Sequence, residues 1–133
     1  MSIFKVGEVL PTKIYILNRA SLVAYANASG DQNPIHQDEA FAKSVGLENV
    51  IAHGMYTMGL VGHYVGRMAG SSSKVKEFSA RFTKPVVVPA DTDVELVVSA
   101  TVIELTDEIA RLEITATCNE VKVLGMTKAT ILL

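Results

Sequence analysis

Two rhythms of apolar and polar residues run along this chain. Before the small-residue run Gly70-Ser71-Ser72-Ser73, apolar positions recur mainly at helical spacing; after it they alternate. Lys13 to Leu17 reads as a short strand. Asn18 then stands where a helix cap would, ahead of Leu22, Val23, Tyr25 and Ala26 at helical spacing, and Gly30 is the expected end. Residues 31–37 contain Pro34 and read as loop. Asp38 is placed to cap a second short helix, Glu39 to Val45, which Gly46 ends. Met55, Met58, Leu60, Val61, Tyr64, Val65 and Met68 predict a third helix over 54–69 with little polar face, and therefore a buried one.

The downstream half reads as strands. Apolar and polar residues alternate in Phe78-Ser79-Ala80-Arg81-Phe82. Val94, Leu96, Val98, Ala100 and Val102 share one face of the next run, and Leu112, Ile114, Ala116 and Cys118 one face of the third. Val121 to Leu132 is apolar on much of both faces, as a central strand would be. The short connections at Thr106-Asp107-Glu108 and Asn119-Glu120 favour antiparallel hairpins. The expected architecture is α+β, an antiparallel sheet with one long buried helix against it. Gly59, Gly62 and Gly66 are spaced three and four apart on that helix and lie on one face. Each costs about 1 kcal/mol against alanine, so close approach of another backbone is the expected return.

Composition narrows the possibilities. At 133 residues the chain has the length of one domain, and 49% hydrophobic content supports a core with no disulfide or metal staple. The net charge of −2 argues against a general nucleic-acid binder. The single cysteine, Cys118, falls in an alternating run and reads as a small buried hydrophobe. No stretch approaches the roughly 18 apolar residues of a membrane span, and the first residues lack the pattern of a secretory leader. A cytoplasmic protein is the expectation.

Two clusters hold the reactive side chains. In Ser29-Gly30-Asp31-Gln32-Asn33-Pro34-Ile35-His36 a carboxylate and an imidazole stand five residues apart. Pro34 keeps Asn33 out of helical geometry, and Asp31 and Asn33 can bond nearby backbone groups, so the segment should be a shaped loop. In Ala52-His53-Gly54-Met55 a glycine opens the long helix. Helix N-termini carry unpaired N–H groups and partial positive charge, which suits them to an oxyanion. The three histidines and one cysteine show no metal-ligand spacing.

Taken together, these clusters resemble the MaoC-like hydratases, which include the (R)-specific enoyl-CoA hydratases and (3R)-hydroxyacyl-ACP dehydratases. Tyr25 with Gly30-Asp31-Gln32-Asn33-Pro34-Ile35-His36 and Ala52-His53-Gly54-Met55 carries the resemblance. Arg81-Phe82-Thr83-Lys84-Pro85-Val86 is similar to the family's Phe-x-x-Pro-Val strand. The likeness spans roughly residues 5 to 133. Within the family the sequence looks closest to the catalytic β subunit of two-subunit dehydratases. One departure is Gly62, where some single-chain (R)-hydratases carry a serine; it favours the dehydratase branch.

The resemblance implies a hot-dog fold, a curved antiparallel sheet wrapped around one long helix. It implies a homodimer or a heterodimer with a related subunit, sheets joined edge to edge, and the glycine face of the helix on its own sheet. It also implies reversible syn hydration of a trans-2-enoyl thioester, carried by CoA or by an acyl carrier protein, to the (3R)-3-hydroxyacyl form. Asp31 and His36 would be the acid/base pair, the Gly54 N–H the oxyanion donor and Asn33 a supporting group. No cofactor, metal, nucleic acid or membrane is expected. His53 reads as structural at the head of the helix, and His63 as a core or interface histidine. Met55, Tyr56 and Met58 are candidates for the acyl tunnel. Lys74, Lys76, Arg81 and Lys84, above all Arg81 and Lys84, are candidates for the phosphate-bearing carrier. The alternatives are a hot-dog acyl thioesterase, which would use a lone carboxylate or a differently placed base, and a dehydratase subunit inactive without its partner.

Overall fold

A computed structural model describes residues 3–133. Six strands form one antiparallel sheet: β1 (Lys13–Leu17), β2 (Val75–Phe82), β3 (Val94–Leu105), β4 (Ile109–Cys118), β5 (Val121–Lys122) and β6 (Leu124–Leu132). The order across the sheet is β1-β3-β4-β6-β2, with β5 paired off this path to β4. Three α-helices all precede β2: α1 (Arg19–Ser29), α2 (Glu39–Ser44) and α3 (Gly54–Ala69).

The alternation sets the sheet's inner face. Val94, Leu96, Val98, Ala100 and Val102 of β3 are buried, as are Ala110, Leu112, Ile114, Ala116 and Cys118 of β4. Their register places Val98 opposite Ala116 and Val102 opposite Leu112, so one continuous apolar layer faces α3. Burial raises the Cys118 thiol above its usual range, in keeping with a packing role. Asn119 and Glu120 both adopt positive φ, 51° and 65°, as a two-residue hairpin turn of matching twist requires. The single strand expected over 121–132 is split. The tight turn pairs Val121–Lys122 back to β4, and β6 then runs from Leu124 to Leu132 between β4 and β2.

Helix boundaries follow their caps. Asn18 accepts from the Ser21 N–H while the Ser21 side chain returns a bond to the Asn18 N–H, and Gly30 closes α1 in the left-handed region at φ 84°. Asp38 caps α2, which ends one residue sooner than the sequence suggested, at Ser44. Two lesser segments form single 3-10 turns, Pro34–His36 and Ser72–Lys74.

Helix α3 has the expected bounds but not the expected burial. Thr57, Val61, Tyr64, Val65 and Gly66 are buried, whereas Met55 is 60% exposed and Gly59, His63 and Arg67 are exposed as well. The residues four apart from Met55 to Arg67 form an exposed stripe along the helix. His63 is therefore not a core residue; its Nδ1 meets the Tyr15 hydroxyl at 2.8 Å. The glycines do not act as one face either. A Cβ on Gly62 would meet the Phe78 ring at 3.3 Å and one on Gly66 would meet Ser72 at 3.5 Å, but one on Gly59 would meet nothing within 4 Å.

Two stability measurements check this packing. Leu112→Ala should lower stability by about 2–5 kcal/mol, seen as a lower urea midpoint at unchanged slope, because the layer cannot collapse around a cavity at its centre. Gly59→Ala should raise stability by up to about 1 kcal/mol, since the added methyl meets open space and the helix gains propensity.

Candidate active site

Asp31 and His36 sit on the loop between α1 and α2. The loop is shaped by short polar bonds: the Asp31 Oδ1 accepts from the Asn33 N–H at 3.1 Å, and the Asn33 Oδ1 accepts from the Ile35 N–H at 3.1 Å. Asn33 thereby caps the turn Pro34–His36, with Pro34 at its first position. That turn swings the His36 ring inward, so the side chain is 8% exposed against 50% for Asp31. Asn33 is exposed, and its observed contact is with the loop.

The pair meets across 3.9 Å, from His36 Nε2 to Asp31 Oδ2. The other ring nitrogen, Nδ1, lies 2.7 Å from the Ile51 carbonyl oxygen. A carbonyl can only accept, so Nδ1 carries the proton and neutral His36 presents a bare Nε2 to the carboxylate. Burial pushes the His36 imidazole below its usual range. The bond to the Ile51 carbonyl pulls the other way, His53 lowers the value further and Asp31 raises it, with burial the largest of the four. The 3.9 Å gap is too long for a direct hydrogen bond and suits one water touching both groups at about 2.8 Å.

The second cluster arrives from the head of α3. His53 is 2% exposed, and its ring stacks on His36 with centroids 3.8 Å apart and planes 22° apart. Its Nε2 lies 3.0 Å from the Asp31 carbonyl oxygen. Tyr25 of α1 meets the same ring at 4.7 Å and stacks on Tyr56 at 4.9 Å. The sequence placed His53 at the helix head only. Its contact with His36 joins residues 17 apart in the chain, and no local pattern announces it. The Ile51 carbonyl as a partner of His36 and the Tyr25 ring as a neighbour of His53 were missed for the same reason. Gly54 follows His53 directly, and its N–H is one of the first amides of α3, which have no earlier helical carbonyl to meet.

An apolar cavity of about 280 Å³ adjoins this segment, lined by Ile51, Ala52, Gly54, Thr57, Phe82 and Val86 among others. Of the residues expected to bind substrate, Lys84 lines it; Met55, Tyr56, Met58 and Arg81 do not. Tyr56 instead packs on Tyr25, and Met55 faces outward. Nor do Lys74, Lys76, Arg81 and Lys84 form a compact cluster. They are strung along the extended β2 and its flanks, so Lys74 and Lys84 are on the order of 25 Å apart.

Asp31, His36 and His53 bring potential ligand atoms within 4.8 Å of one another, but the ring geometry does not suit a metal. Imidazole lone pairs lie in the ring plane, and two rings stacked 22° from parallel cannot both aim at one ion about 2.0–2.1 Å away. Two of the four ring nitrogens also already donate to carbonyls.

Residues 5–121 match the family described as the MaoC like domain. The chain is 36% identical over 80 residues to 3-hydroxyacyl-thioester dehydratase X of Mycobacterium tuberculosis, covering 60% of this chain and 28% of that protein. It is 32% identical over 113 residues to 3-hydroxybutyryl-CoA dehydratase of Methylorubrum extorquens, covering 84% of this chain and 68% of the relative. This chain thus spans well under half of the first relative and about two thirds of the second. The solved structure of the (R)-hydratase from A. caviae involved in PHA biosynthesis superposes with a TM-score of 0.84 at 25% identity, covering 98% of both chains. The sheet wrapped on α3 is accordingly the hot-dog fold. By its matched span and its architecture alike, this chain belongs to the MaoC-like domain family.

Proposed function

We propose that the chain is a hydro-lyase acting reversibly between trans-2-enoyl thioesters and (3R)-3-hydroxyacyl thioesters. The observation that carries this reading is the facing of a carboxylate oxygen and a bare imidazole nitrogen across 3.9 Å, with the histidine's other nitrogen committed to a main-chain carbonyl. In hydration, one group of the pair takes a proton from the shared water as its oxygen bonds to C3. The electron pair of the C2–C3 double bond shifts toward the thioester carbonyl, and C2 takes the proton that the pair removed from the water, so the pair ends as it began, a carboxylate and a neutral imidazole. Dehydration runs these steps backwards. Water delivered from one side gives syn addition, and the R configuration is the one printed in the name of the A. caviae relative.

The Gly54 N–H is the donor for the thioester oxygen as it gains charge. Such a donor is typically worth on the order of 10²–10³ in rate. The apolar cavity beside Gly54 and Thr57 is a place for the acyl chain, with Lys84 at its margin for the carrier's phosphates. The carrier is CoA or an acyl carrier protein, the assembly is a homodimer or a pairing with a related hot-dog chain, and the location is cytoplasmic. Among the described residues no helix is long and apolar enough to cross a membrane.

Asp31→Asn keeps the loop's acceptor oxygen but removes the charge, and His36→Ala removes the ring. Each should lower turnover of crotonyl-CoA by about 10²–10⁴-fold with the circular dichroism spectrum unchanged. Turnover above about a tenth of the parent's in either variant contradicts the assignment. Release of free thiol without a hydroxyacyl product would identify a thioesterase instead.

The pH profile has a definite sign. Burial favours neutral His36, so the bare Nε2 persists below the ordinary histidine value of 6.5. The acidic limb of kcat/KM for hydration should therefore have its midpoint below 6.5. A midpoint at or above that value contradicts a buried, neutral His36.

A further inference from the structure

His53 is buried beside the pair, yet the steps above give it nothing to do. Its Nε2 approaches the Asp31 carbonyl oxygen at 3.0 Å. That oxygen only accepts, so Nε2 carries the proton and Nδ1 is bare. Nδ1 is buried and has no hydrogen-bond partner among the described residues. The bond to the Asp31 carbonyl thus selects one tautomer of His53.

The loop shows why such a residue matters. Among the described residues, the other hydrogen bonds of Asp31 reach only Ser29 and Asn33, within two residues along the chain. Those bonds shape the loop but do not tie it to the rest of the protein. The bond from His53 spans 22 residues and fixes the Asp31 main chain to the head of α3. His36 is tied to the same segment two residues earlier, through the Ile51 carbonyl.

The geometry points to His53 as the positioning residue of the pair: its Nε2–H holds the Asp31 carbonyl and so sets where the carboxylate stands relative to His36. This rests on the hydro-lyase reading for its catalytic consequence, but its geometric content does not. His53 touches no reacting atom. It acts through Asp31, while its ring, bracketed by contacts with His36 and Tyr25, is held by packing.

The test has three parts. Nitrogen-15 spectra of the wild-type imidazoles should show His53 protonated at Nε2 and bare at Nδ1; an Nδ1–H tautomer overturns the proposal. His53→Phe keeps an apolar ring but no donor, and His53→Gln restores an N–H near the position of Nε2. The phenylalanine variant should lose about 10²-fold in kcat, the scale of a small misplacement, with KM within about threefold. The glutamine variant should recover at least about tenfold of that loss. A phenylalanine variant within about threefold of wild-type kcat, or a glutamine variant no better than it, overturns the proposal. If the phenylalanine variant does not fold, glutamine-variant turnover within about tenfold of wild type upholds it and a larger loss overturns it. Wild-type protein inactive on all enoyl thioesters would sink the hydro-lyase reading alone. The geometry would then be decided by the spectra: the Asp31 carbonyl carbon resonance should move in the phenylalanine variant and return toward wild type in the glutamine variant, and an unmoved resonance overturns it.

Discussion

A single hydrogen bond, from His36 Nδ1 to the Ile51 carbonyl, determines what this site can do. It selects the tautomer, directs the bare nitrogen at Asp31 and holds the ring where burial keeps it neutral. The carbonyl is itself fixed because its segment is pinned on both sides. Ala52 donates to the Val86 carbonyl at 2.9 Å, Val88 donates to the Val50 carbonyl at 2.8 Å, and Ile51 bridges to Val87. Val50, Ala52, Val86 and Val88 are all buried, so ordinary apolar packing supports a polar contact with angular demands. The chain of dependence runs from valines to a carbonyl, from that carbonyl to a tautomer, and from the tautomer to a bare nitrogen facing a carboxylate.

Strand alternation was the most legible part of the sequence. Period-two patterns in β3 and β4 named the buried face residue by residue, because a sheet with one covered side leaves no other solution. Caps were legible for a related reason: Asn18, Asp38 and Gly30 act on backbone groups a few residues away. What failed was the global environment of α3. A run of methionines, leucines and valines announces apolar surface but not how much cover the rest of the chain supplies. The sheet is one layer, and Met55, Gly59, His63 and Arg67 are left exposed. Likewise, four basic residues close in sequence looked like a patch until an extended strand drew them out in a line.

The site divides in the same way. The meeting of Asp31 and His36 was readable because proline and two side-chain caps shape their loop locally. The ring beneath His36 was not, since stacking of His53 depends on where a helix head docks. His53 and Gly54 were singled out as a helix start, and the fold shows them to be neighbours of the first cluster. Two motifs that are each unremarkable became informative once their separation in space was known.

The pair hangs from residues 31 and 36, and the hooks that hold it are residues 51 and 53. Everything between, α2 and the turn after it, is an excursion whose ends are already clamped. Insertions or deletions around residues 43–48 should therefore leave the distance between the two side chains unchanged. A lineage could remodel that excursion without disturbing what its two ends hold.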